Sequence, residues 1–220
     1  MLLCLLECNN GVIFMSFLSY DGLLARCIRY VWRLFLLNIC YVICCLPVFT
    51  IGAANAALYA AFLNESNDSG TVVPFFLNFK SNFKQATKLW LILAVPFVLL
   101  IADWFLIITL EFAGEILVTI GSAIFTVIYC SVFSFVFPLQ AHYENTLGKT
   151  LHNSLVLGIG MVLYGVFFST LALLPVILFF VDLNLFLHFL SFWIFLGFSF
   201  TANLQSMILK HIFNTIQPRS

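Results

Sequence analysis

Residues 34–64 read LFLLNICYVICCLPVFTIGAANAALYAAFLN, a run without a single charge between Arg33 and Glu65. About 20 apolar residues suffice for one membrane-crossing helix. This run is too long for a simple span, and Pro47 and Gly52 interrupt it near the middle. Proline cannot continue a helix regularly, so the run is either a long kinked span or a hairpin that turns back. Its arms, residues 34–46 and 51–63, are each about 20 Å long as helices, short of a full crossing. Thr50 stands where it can cap the second arm. Gly52, Ala56 and Ala60, with Ala53, Ala57 and Ala61 beside them, form a small-residue face that admits another helix closely. A turn at membrane depth must be buried in protein or face water, so Pro47–Gly52 is expected inside the bundle.

Outward from this block the composition is that of a membrane protein. Of 220 residues, 63% are hydrophobic and 8% charged, against roughly 25% charged in soluble domains. The expected fold is all-α: a polytopic membrane bundle with a re-entrant or kinked hairpin over about 34–63 and four further transmembrane helices. Those helices are read from the apolar blocks 89–110, 116–143, 150–181 and 183–209, the first bearing Asp103 and a proline at 96. One membrane domain, 1–220, is expected. Within it residues 1–14 form a tail or upstream extension, 16–33 an interfacial helix and 72–88 an amphipathic cytoplasmic segment. Arg26, Arg29 and Arg33 share one helical face, as do Lys80, Lys84 and Lys88. Such stripes suit anionic headgroups of the lipid bilayer.

The nine Lys and Arg residues fix orientation. A single crossing by the first block divides them three against six; a hairpin leaves all nine on one side. The positive-inside rule favours the hairpin, with both termini cytoplasmic. No dense basic stripe outside the membrane flanks points to nucleic acid.

Chemistry is sparse. Asp103 is the acid inside a span, and a central aspartate costs about 2.5–3.5 kcal/mol to insert. It is expected to face the bundle or a wet cavity and to have a partner. Asn38, Asn55, Gln140, His188, Asn203 and Gln205 read as interhelical glue. The seven cysteines form no CxxC pair and read as small apolar residues. Gly148-Lys149-Thr150 imitates the end of a phosphate loop, but Tyr143 occupies the place of the first glycine. Neither a GxSxG motif nor an HExxH motif is present. The expectation is a non-enzyme with no cofactor and no metal. Residues singled out for function or packing are Asn38, Pro47, Thr50, Gly52, Asn82, Lys84, Asp103 and Glu144.

Three sets of residues carry a family resemblance. Leu37-Asn38, then Cys44 to Ala54 and Ala57-Leu58-Tyr59, form the first. Phe75-Phe76, Phe79-Lys80 and Asn82-Phe83-Lys84-Gln85-Ala86-Thr87 form the second. Phe137-Pro138-Leu139, Tyr143-Glu144-Asn145-Thr146 and Asn153-Ser154 form a looser third. Together they resemble the YesL-like family of bacterial integral membrane proteins, itself a domain of unknown function, over about residues 16–210. The resemblance implies the bacterial cytoplasmic membrane and an accessory or regulatory role in carbohydrate uptake, with sugar ABC transporter subunits as candidate partners. Two alternatives stand beside it. One is a small stand-alone transporter using the Pro47–Gly52 hairpin and Asp103 as a midplane site. The other is a structural or lipid-organising membrane protein.

Overall fold

The computed structural model describes residues 23–64, 70–110 and 114–216. These are helical, with no strand among them. The elements are α1 (Leu23–Cys45), a 3-10 turn (Val48–Thr50), α2 (Ile51–Leu63), α3 (Val72–Thr109), α4 (Glu115–His142), α5 (Leu147–Gly160), α6 (Val162–Val181), α7 (Leu183–Phe192), a π-turn (Trp193–Gly197) and α8 (Phe198–Ile216). Five helices are long and apolar enough to cross a membrane: α1 from Leu24, α3, α4, α6, and the continuous rod Leu183–Phe213 made of α7, the π-turn and α8. Their outer faces are apolar. Leu99, Phe105, Ile116, Leu163 and Phe180 are among the exposed side chains, as expected where lipid replaces water.

The hairpin is present. Pro47 has no N–H to donate, and α1 ends at Cys45 before it. The arms run back along each other, with Arg33 Nη2 donating to the Ala61 carbonyl at 2.8 Å and Tyr41 Oη to Asn55 at 3.3 Å. Arg33 thereby satisfies a carbonyl in the last turn of α2, where the helix dipole favours a cation. Short α2 is buried nearly all round, as a helix apolar on every side should be. It packs most extensively on α3, then on α4 and α8. Contact with α3 requires Gly52: a Cβ there would collide with the Ala86 carbonyl and lie 2.6 Å from Trp90 Cβ.

Several expected boundaries differ. Residues 23–45 form one helix rather than an interfacial helix followed by an arm; residues 1–22 lie outside the described part. The arginines do not stop α1 because they occupy one face only, leaving the apolar stripe continuous. The lysine segment 72–88 is likewise the first half of α3, which runs unbroken to Thr109. The block 150–181 is divided at Met161, which caps both α5 and α6 in a non-helical conformation.

The Pro47 turn is also not interior. Leu46, Val48 and Phe49 are exposed, while Thr50 and Gly52 are buried. Thr50 does not cap α2. Its hydroxyl turns back and donates to the carbonyls of Cys44 (2.5 Å) and Pro47 (2.6 Å), satisfying acceptors left by the end of α1.

Two other irregularities are filled in the same manner. Pro138 in α4 cannot donate to the Ser134 carbonyl four residues back. The Gln205 side-chain amide of α8 supplies that bond at 2.8 Å, and Tyr59 of α2 donates to Gln205 Oε1 at 2.6 Å. At the π-turn, Asn38 Nδ2 donates to the carbonyls of Trp193 (3.1 Å) and Ile194 (2.7 Å), while its Oδ1 accepts from Ser199 N (2.8 Å). Asn38 is fully buried.

The basic side chains from Arg33 to Lys210 gather at one end, which also holds Glu144. Arg33 is bonded to the carbonyl of Ala61, three residues before Asn64, whose Nδ2 donates to the Ala141 carbonyl at the end of α4. Lys84 and Lys88 flank Gln85, which is bonded to Gln140. Lys149 is in the first turn of α5, and Lys210 is on α8 one turn before Phe213, which stacks on His142. Asp103 lies 15 residues beyond Lys88 on α3. Glu115 and Asp182 stand about 40 Å or more of continuous helix away from the His142 end.

Two stability measurements test this packing. Gly52→Ala costs about 1–3 kcal/mol through overpacking, whereas Gly121→Ala, where a Cβ meets nothing within 4 Å, costs nothing. Unequal thermal midpoints in detergent are the expected result, and equal ones contradict the close contact. Gln205→Leu costs about 1–3 kcal/mol by orphaning the Ser134 carbonyl. The cost falls in a Pro138→Ala background, where residue 138 again donates to that carbonyl; strict additivity of the two changes refutes the pairing.

Candidate functional site

Polar side chains inside the bundle bond chiefly to one another and to helix backbones. Beside the Asn38 and Gln205 bonds, Ser134 and Ser169 share a hydrogen bond at 2.7 Å. Ser169 also donates to the Cys130 carbonyl, and Ser131 to that of Gly158. These serines form a seam with Gly158 and Gly165, where an added Cβ would press on Val132 and Ser131. The hydroxyls of Thr87 and Ser206 are the buried exceptions among the described side chains.

A second cluster joins α3, α4 and α5 at the lysine-bearing end. Buried Gln140 donates to Asn82 Oδ1 at 3.2 Å and accepts from Gln85 at 2.9 Å and Thr150 at 3.4 Å. Gln85 also donates to the backbone carbonyl of Asn145 at 2.5 Å. That bond holds the loop between α4 and α5, so the second motif positions the third.

In front of this cluster lies a groove of about 430 Å³. Leu139 and Tyr143 come from the end of α4, Asn145 from the loop, His152, Asn153, Val156 and Leu157 from α5, and Phe213 from α8. Tyr143 and Phe213 meet edge to face at 5.4 Å, and His142 stacks on Phe213 at 5.1 Å. Burial pushes the Tyr143 phenol up, so it remains a neutral donor. The side chains of Asn145, His152 and Asn153 make no hydrogen bond to another described group, in contrast to the buried amides. Leu139, Tyr143, Asn145 and Asn153 all belong to the third motif, which the fold gathers here.

The residues singled out in the sequence scatter. Asn38 and Thr50 fill backbone gaps, Gly52 admits α3, and Asn82 belongs to the Gln140 cluster. Pro47, Lys84 and Glu144 are exposed. Asp103 is half-exposed and has no bonded partner among the described residues, contrary to expectation. It lies thirteen residues beyond Trp90, the residue that faces Gly52, or about 20 Å along α3. The fold therefore does not bring the Pro47–Gly52 turn and Asp103 together. The groove was missed in sequence; the available signal was the polar and aromatic spacing of the third motif around the α4–α5 loop. No group of three or more metal-ligating side chains occurs among the described residues.

Comparison with known proteins gives a family match over part of the chain. A family model described as "Protein of unknown function, DUF624" matches residues 34–104. That stretch holds the second half of α1, the hairpin turn, α2 and the greater part of α3. Neither the curated proteins nor the solved structures yield a match.

Proposed function

We propose that the chain is a non-enzymatic accessory or regulatory subunit of carbohydrate uptake in the bacterial cytoplasmic membrane, with both termini on the cytoplasmic side. It works through its surface rather than through an internal path. The observation that carries this reading is the disposition of its polar groups. Inside the bundle they close backbone gaps, while Asn145, His152 and Asn153, whose side chains bond to no other described group, line a groove with Tyr143 at the lysine-bearing end. The positive-inside rule makes that end cytoplasmic. The sugar-uptake setting, and sugar ABC transporter subunits as partners, rest on the YesL-like resemblance, which is consistent with the DUF624 match. A carrier needs convergent groups at one depth, and the separation of Asp103 from the Pro47 turn weighs against that reading.

Purification of the tagged protein from its own membranes in mild detergent tests the proposal. A sugar permease or its ATPase should follow it. Recovery of the protein alone, where known complexes survive, overturns the accessory role. Asp103→Asn should leave sugar uptake by the cells unchanged. Lost uptake with the partner still bound would restore Asp103 to a carrier mechanism.

A further inference from the structure

We infer that the groove at the α4–α5 loop receives a short, uncharged peptide segment from a cytoplasmic loop or tail of a membrane partner, anchored by one large apolar side chain. This rests on the accessory reading above and names the surface that serves it. Three features select this occupant. First, no lysine, arginine, aspartate or glutamate lines the groove, so a charged segment would meet no fixed counter-charge there. Second, Asn145 and Asn153 each offer an amide donor and an amide acceptor, the complement of a peptide group. Neither side chain is bonded to another described group. Third, Tyr143 and Phe213 make a stiff aromatic wall against aliphatic Val156 and Leu157, the surroundings in which interface anchors are buried.

The groove is also organised in advance. Gln85 holds the Asn145 backbone, and Gln140 holds Gln85. A loop already ordered loses less freedom when its partner arrives. A volume of about 430 Å³ lies at the small end of ligand sites, which run from about 300 to 1,000 Å³. That suits one anchoring side chain and its flanking peptide groups.

The test places a photo-reactive amino acid at Val156 of the full chain in its own membranes and maps the crosslinked residues. The expected product joins Val156 to an uncharged segment of one membrane partner containing a large apolar residue. A synthetic peptide of that segment should then bind the purified chain. Asn153→Ala should weaken it about tenfold, the loss of one well-made hydrogen bond, with the thermal midpoint unchanged. Crosslinks confined to lipid, to a small molecule or to a second copy of the chain overturn the inference. So does a charged segment, or peptide binding indifferent to Asn153→Ala. If a partner co-purifies with wild type and Asn153→Ala retains it undiminished, the groove is wrong and the accessory role stands. If nothing co-purifies with wild type, both fall.

Discussion

Backbone groups inside lipid cannot turn to water, so any break in a helix must be closed by another part of the protein. Three breaks in this chain are closed by side chains. Thr50 returns to the carbonyls of Cys44 and Pro47 at the end of α1. Gln205 crosses from α8 to the Ser134 carbonyl that Pro138 leaves open. Asn38 fills the π-turn between α7 and α8. Two of the three bonds are interhelical, so repairing the backbone also fixes the order of the bundle. Each closure withholds a polar group from solvent or solute and places it in the framework.

Close approach supports these closures. Gly52 lets α2 lie against the backbone of α3, and Gly158 and Gly165 do the same for α5 and α6 against α4. Within membranes the drive for helix association comes from such contacts and from polar bonds, since lipid tails are as apolar as leucine. The small-residue positions and the polar closures are therefore complementary. One brings helices near enough for the other to reach.

The lysine-bearing end is built differently. There the Gln140 cluster ties α3, α4 and α5 behind the loop, and the groove in front keeps hydrogen-bonding side chains without partners among the described residues. A framework that satisfies itself internally and leaves polar capacity at one outer site is suited to recognition. The half-exposed Asp103, at a distance from the Pro47 turn, fits poorly with a central transport site.

The sequence by itself determined that the chain is an all-α bundle with apolar spans, where Pro47 breaks the first block, and that Gly52, Ala56 and Ala60 form a packing face. These follow from local composition, from proline's missing donor and from the helical period, none of which needs a neighbour. Asn38 and Gln205 were legible as glue, but not what they hold, because their partners lie 155 and 71 residues away along the chain. Only the tertiary structure decided that Thr50 turns backward and that the Pro47 turn is exposed. It also decided that Asp103 stands apart and that residues of the third motif gather around one groove. Sequence spacing sets which face of a helix a residue occupies; which helix meets that face depends on how the whole bundle closes its backbone gaps.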